Sequence, residues 1–195
     1  MKTFAVAAIL ISAVAARSTP IRARQETEPK HIILPSALAS HDVNKGNNEL
    51  ASITNTTRVK GTELSTLYSV TFDESLVGLT CVGQFVSGHD TDFALGSRQL
   101  DFFSTQIQDL NKQANGNLRN QAFGRITFVA VGQEFDIDRS VPAPFADSFP
   151  CPVSKTIVLE SVAVGDFDSV VIGQDFAGAW TPGGGKPNGL SFAAY

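Results

Sequence analysis

The sequence predicts an all-β domain with long irregular loops, closed by one disulfide. From Lys30 onward, short apolar runs alternate with clusters of Gly, Pro, Asn, Asp and Ser, the pattern of strands joined by turns. Several runs alternate apolar and polar residues with a period of two, which turns one face toward a core. Cys81 and Cys151 are the only cysteines, and the N-terminus carries an export pattern that places them where thiols oxidise.

That export pattern occupies residues 1–16, read as a signal peptide. Lys2 gives a positive start, Phe4 to Val14 is almost wholly apolar, and Val14-Ala15-Ala16 supplies small residues for cleavage. The apolar run is well short of the roughly 20 residues that span a bilayer. Residues 17–29 follow, and the basic Arg17, Arg22 and Arg24 fit either a pro-segment or a disordered arm. The domain proper is expected over residues 30–195. No hydrophobic C-terminal tail of a lipid-anchor signal is present in Gly189 to Tyr195. The expected location is secreted, extracellular or in the cell wall, with no membrane anchor.

Charge narrows the partners. The formal net charge is -4, and removal of Lys2, Arg17, Arg22 and Arg24 moves it to about -8. Phosphate backbones are bound by clustered Lys and Arg, which this chain lacks, so no nucleic acid partner is expected.

Within the domain, Tyr68-Ser69-Val70-Thr71-Phe72 sets apolar residues on one face and hydroxyls on the other. Leu79 to Val86, Ile126 to Val131, Thr156 to Val162 and Ser169 to Ile172 are rich in β-branched or aromatic residues between Gly and Pro. Leu100, Phe103, Ile107 and Leu110 fall at helical spacing, which we read as a strand over Leu100–Ser104 followed by a helical turn. Asn111 to Asn117 is a polar, exposed loop. Pro142, Pro144, Pro150 and Pro152 make an irregular, loose stretch tethered by Cys151. Thr181 to Pro187 forms a surface loop before the last strand. Gly-Gln recurs at strand ends, in Gly83-Gln84-Phe85, Gly132-Gln133-Glu134-Phe135 and Gly173-Gln174-Asp175-Phe176. Glycine is expected there as a bulge or strand end, with Phe re-entering the core.

Pairing of Cys81 with Cys151 closes a loop of about 70 residues, which stabilises by about 4 kcal/mol in the chain-entropy account. Neither a C-x-x-C spacing nor nearby histidines suggest a metal or redox site, and no cofactor is expected.

Candidate chemistry is sparse. His89-Asp90-Thr91-Asp92 reads as a solvated hairpin turn before it reads as a metal or acid–base cluster. His31 and His41 fall in an irregular N-terminal arm. Asp136-Ile137-Asp138 and Asp166-Phe167-Asp168 each place two carboxylates on one strand face, the residue type that glycoside hydrolysis needs in opposed pairs. Ordinary exposed strands carry the same alternation. Trp180, the single tryptophan, could contact a ligand by stacking on a sugar, and Asp136 and Asp138 are the accompanying candidate contacts. Gly183-Gly184-Gly185-Lys186 is no phosphate loop, because Pro187 stands where Ser or Thr must bind magnesium. No Gly-x-Ser-x-Gly elbow occurs. Asn55-Thr56-Thr57 is a glycosylation acceptor, expected in an exposed loop.

In chain order, His31-Ile32-Ile33-Leu34-Pro35, Val70-Thr71-Phe72-Asp73, Gly78-Leu79-Thr80-Cys81-Val82-Gly83-Gln84-Phe85, Ser148-Phe149-Pro150-Cys151-Pro152, Gln174-Asp175-Phe176 and Gly189-Leu190-Ser191-Phe192 resemble the fungal But-two C-terminal domain family, also called the ubiquitin 3 binding protein C-terminal domain. The likeness runs from about Lys30 to the end, and its most specific element is the one around Cys151. It departs from the family in the polar segment Asn111 to Asn120 and the glycine-rich Pro182 to Pro187. The resemblance implies an antiparallel β-sandwich in a secreted fungal protein. The sequence reading is thus a non-enzymatic domain that meets cell-wall glycan or a host surface. Its rivals are a weak glycan hydrolase using the paired carboxylates and a partner in a ubiquitin-like pathway.

Overall fold

The computed structural model describes residues 28–141, 144–145, 147–178 and 185–195. The signal-peptide and pro-segment readings, Trp180 and the segment 181–184 lie outside them. Among the described residues the chain forms fifteen strands and two single turns of 3-10 helix. The strands are β1 (His31–Ile33), β2 (Pro35–Asp42), β3 (Asn47–Ala51), β4 (Ile53–Val59), β5 (Thr62–Phe72), β6 (Thr80–Ser87), β7 (Phe93–Leu95), β8 (Gln99–Thr105), β9 (Arg119–Thr127), β10 (Gln133–Glu134), β11 (Asp136–Ile137), β12 (Phe149–Pro150), β13 (Lys155–Ala163), β14 (Phe167–Gly173) and β15 (Gly189–Ala194).

They pair antiparallel in two sheets that pack as a sandwich. The smaller runs β1-β15-β6, with β10 and β12 on opposite ends of the free edge of β6. The larger runs β11-β9-β8-β13-β5-β4-β14-β7, with β2 and β3 along the other edge of β5. Between them lies an aromatic core. Phe102 stacks on Phe145 at 5.2 Å, Phe85 meets Phe135 edge-on at 4.8 Å, and Phe72 meets Phe192 at 5.4 Å. Such pairs add about 0.5–1.5 kcal/mol each beyond the area they bury.

The larger sheet forks, because β13 and β4 share one edge of β5, pairing with Thr66–Phe72 and Thr62–Leu64 respectively. Hydroxyls fill the fork where ladder bonds are missing. The Tyr68 hydroxyl lies 2.9 Å from Thr54 Oγ1 and 3.0 Å from Ser161 Oγ, and the Asn55 amide donates to Thr66 Oγ1. Burial raises the Tyr68 hydroxyl well above its ordinary pKa, so it stays a neutral donor.

Three expectations are corrected. Of the two hydroxyls on the outward side of Tyr68–Phe72, Thr71 is exposed as expected but Ser69 is buried, because Ile107 and Leu110, the latter in a 3-10 turn (Leu110–Lys112), pack with Leu67 and Val158 on the outer face of the sheet. The strand expected at Ile126–Val131 is shifted and ends at Thr127, leaving Val129 and Val131 exposed. Of the proline-rich stretch before Cys151, Pro142 lies outside the described residues, and Phe145 is buried between the sheets against Phe102. The N-terminal arm is not irregular: His31 lies in β1 and His41 is buried in β2, its Nδ1 2.7 Å from Asn48 Oδ1.

Candidate functional site

Cys81 and Cys151 form the expected disulfide, with an S–S length of 2.07 Å and Cα atoms 5.1 Å apart. It ties β6 to the segment that continues from β12, whose Phe149 pairs with Cys81.

Of the two carboxylate pairs, only Asp166 and Asp168 are split between solvent and interior. Asp136 lies exposed in β11 and Asp138 follows it, with Ile137 turned to the core between them. Asp138 accepts from the Ser140 amide at 2.8 Å, and the hydrogen bonds from the Ser140 side chain and then its amide, with Arg125 nearby, lower its pKa. Asp166 and Asp168 do not share a strand face as expected. Asp166 is exposed in the turn before β14, whereas Asp168 is 2% exposed and accepts from the amides of Ser97 at 2.6 Å and Gly165 at 2.7 Å. Ser97 Oγ also donates to Asp168. A carboxylate so occupied holds a turn rather than attacking a sugar.

The His89–Asp92 turn links β6 to β7, crossing between sheets rather than closing a hairpin, and Asp92 is buried rather than solvated. Asp92 accepts from the amides of Gly88 and His89 at 3.1 Å each, Gly173 at 2.8 Å and Asn188 Nδ2 at 3.0 Å. Beside it, His89 Nε2 stands 3.6 Å from Asp175 Oδ1, while Asp175 Oδ2 accepts from the Asn188 amide. This cluster locks together the chain segments at that end of the sandwich. Among the described residues no group of His, Cys, Asp and Glu is placed to hold a metal ion. Lys186, from the glycine-rich loop, binds Glu134 at 2.6 Å. No helix among the described residues is long and apolar enough to cross a membrane.

The sequon lies within β4 and not in a loop. Asn55 is half-buried and outward, between the inward Thr54 and Thr56, and its Oδ1 accepts from Thr57 Oγ1 at 3.1 Å.

One recess among the described residues was missed by the sequence reading. A groove of about 350 Å3 is lined by Asn44, Arg58, Lys60, Glu63, Asp166 and Phe167. Its floor is the Lys60-Gly61 turn between β4 and β5, with φ of 46° and 85°, the double positive φ of a tight hairpin, where glycine is favoured. In one wall, Arg58 Nη2 lies 2.5 Å from Glu63 Oε1, and Arg58 Nε is buried with no partner among the described residues. At the rim, the Phe167 ring is 68% exposed, and the neighbouring Asp166 carboxylate is engaged by no described residue. The groove therefore joins a flat apolar surface to fixed donors and acceptors. Another recess, of about 300 Å3 between Thr105, Phe123, Phe149 and Leu159, has no charged group in its lining. The available signal for the groove was Phe167 itself, an aromatic in a strand position whose neighbours drew attention only as acids.

Compared with known proteins, the chain matches no family model and no curated protein.

Proposed function

We propose that this chain is an exported, glycosylated, non-enzymatic domain that binds polysaccharide at a cell wall or host surface through the groove at Phe167. The carrying observation is the exposed Phe167 ring beside the unengaged Asp166 and the Arg58–Glu63 pair. A pyranose presents an apolar face that suits an aromatic ring and equatorial hydroxyls that suit carboxylate and guanidinium groups. The disulfide fits an oxidising compartment, in keeping with removal of residues 1–16. The motif likeness to But-two C-terminal domains, with its fungal and secreted associations, is part of the same reading. Asp168 is buried on the Ser97 and Gly165 amides and so forms no opposed carboxylate pair with Asp166, which favours binding over hydrolysis by that pair.

The test is co-sedimentation of purified protein with insoluble chitin, β-glucan and mannan, alongside an assay for released reducing ends. Binding weakened at least tenfold in Phe167→Ala and Asp166→Asn, with no sugar released, supports the reading. Unchanged binding in both variants, or turnover of any of these polymers, overturns it.

A further inference from the structure

Beyond the groove, the outer face of β4, β14 and β7 carries apolar side chains around a polar cluster of Asn55, Thr57 and Ser169. Register places Asn55 opposite Val171 and Val171 opposite Phe93, and in the next row Thr57 opposite Ser169 and Ser169 opposite Leu95. Side chains paired across antiparallel strands share a face. Phe93 is 43% and Leu95 59% exposed, and Ile53 further along β4 is 42% exposed. The larger sheet also ends at β7, whose outer edge has no partner strand among the described residues. An apolar face running to a bare edge invites association with another chain. The acceptor asparagine of the sequon sits in its midst, with Thr57 Oγ1 hydrogen-bonded to its amide oxygen and 3.0 Å from Ser169 Oγ.

We infer that the occupant of this face is the chain's own N-linked glycan, carried on Asn55 and lying across Val171 toward Phe93 and Leu95. Strand spacing puts β14 one step and β7 two steps, about 10 Å, from the attachment point. The first N-acetylated sugars start directly over Val171, and their apolar ring faces and acetyl methyl groups meet the apolar side chains while their hydroxyls face water. A flat protein partner is excluded by the same placement, since a branched sugar rises from the centre of the surface. Phe167 lies opposite Val59, four residues along β4 from Asn55 and about 13 Å away, so the groove stays open. This inference rests on the exported, glycosylated reading of the chain but not on the polysaccharide-binding groove.

The test uses protein recovered from the medium of a eukaryotic host. Intact mass establishes the sugar on Asn55. Amidase removal of the glycan from the already folded protein, and separately the variants Asn55→Gln and Thr57→Ala, are compared with the glycoprotein by sedimentation and by fluorescence of an apolar dye. The expected result is a monomeric glycoprotein with weak dye signal, unglycosylated forms that self-associate and raise the signal several-fold, and a return to monomer when Phe93→Thr and Leu95→Thr are added to Asn55→Gln. Equal dye signal and equal monomer content with and without sugar overturn the shielding role while leaving glycosylation intact. Exported protein with an unmodified Asn55 overturns the site but not export. Full-length protein retained inside cells without sugar overturns both this inference and the exported reading.

Discussion

The carboxamide of Gln174 pairs with both backbone groups of Leu190, accepting from its N–H at 2.9 Å and donating to its carbonyl at 3.1 Å. β1 pairs with β15 only over Phe192–Ala194, so at Leu190 a side chain continues the ladder that the strand has left. Gln174 is 7% exposed and Leu190 fully buried, which makes these backbone groups expensive to leave unpaired. Gln174→Ala is expected to lower stability by about 2–3 kcal/mol, read as a lower urea midpoint with an unchanged slope. Gln174→Glu, when ionised, sets a buried carboxylate oxygen against the Leu190 carbonyl and should be at least as damaging at neutral pH. A midpoint for Gln174→Ala equal to the parent would refute the role.

Glu160 has no solvent exposure, and Arg119 holds it through Nε at 2.8 Å and Nη2 at 3.0 Å, joined by Asn117 at 2.9 Å and Ser65 at 2.6 Å. The Arg119 guanidinium also stands 4.6 Å from the centre of the Phe103 ring, and its bond to Glu160 raises its already high pKa. Breaking a buried pair by removing one partner leaves the other uncompensated, at a cost of about 3–5 kcal/mol. Arg119→Leu, which strands the fully buried carboxylate, should reach that range. Glu160→Leu combined with Arg119→Leu should recover most of the loss, and a double variant as weak as the single one would show that packing, not charge, is what Arg119 supplies.

The central strands were legible because the apolar side chains they turn between the sheets recur every second residue, although the residues between them are largely buried as well. Tyr68, Val70 and Phe72 face the core as the alternation requires. The second layer was not legible, because Leu100 to Leu110 mixes two geometries: Leu100 packs in the main core, whereas Ile107 and Leu110 fold back over Leu67 on the opposite face. β4 escaped notice because its inward residues, Thr54 and Thr56, are hydroxyls that bond to Tyr68 and Ser161, so the inside reads as outside. The three Gly-Gln echoes have separate physical causes. Gly83 lies under the Phe145 ring, Gly132 takes φ +84° in a turn, and Gly173 lies under His89. Phe85 and Phe135 enter the core as expected, whereas Phe176 is 44% exposed.

Acid should weaken the turns together. Asp42, Asp73, Asp109 and Asp138 all cap short turns, and each has its pKa lowered below the ordinary 3.8. The leading cause is a side-chain hydrogen bond, from Lys45, Ser75, Lys112 and Ser140 respectively. A carboxyl lowered on folding contributes stability that is fully present above its unfolded value and is lost as the pH falls through the folded one. Urea midpoints measured from pH 6 downward should therefore hold until about pH 4 and then decline. Asp73→Asn with Asp109→Asn should make that decline shallower, and an identical slope in the variant would remove these caps from the explanation.

Gly83 and Phe145 are coupled by closeness. A methyl group on Gly83 would stand 2.8 Å from Cδ2 and Cε2 of the Phe145 ring. That ring has little room to yield, being 1% exposed and set against Phe102 at 5.2 Å, Phe123 at 6.0 Å and Phe192 at 6.1 Å. Overpacking of this kind costs about 1–3 kcal/mol, so Gly83→Ala should destabilise by that amount. Phe145→Leu destabilises for the opposite reason, by leaving a void beside Phe102. In that background the added methyl enters vacated space, and Gly83→Ala should become nearly neutral. The double-mutant cycle is then non-additive by at least 1 kcal/mol. Additive effects would mean that the ring moves aside freely and that glycine at this position serves the strand backbone instead.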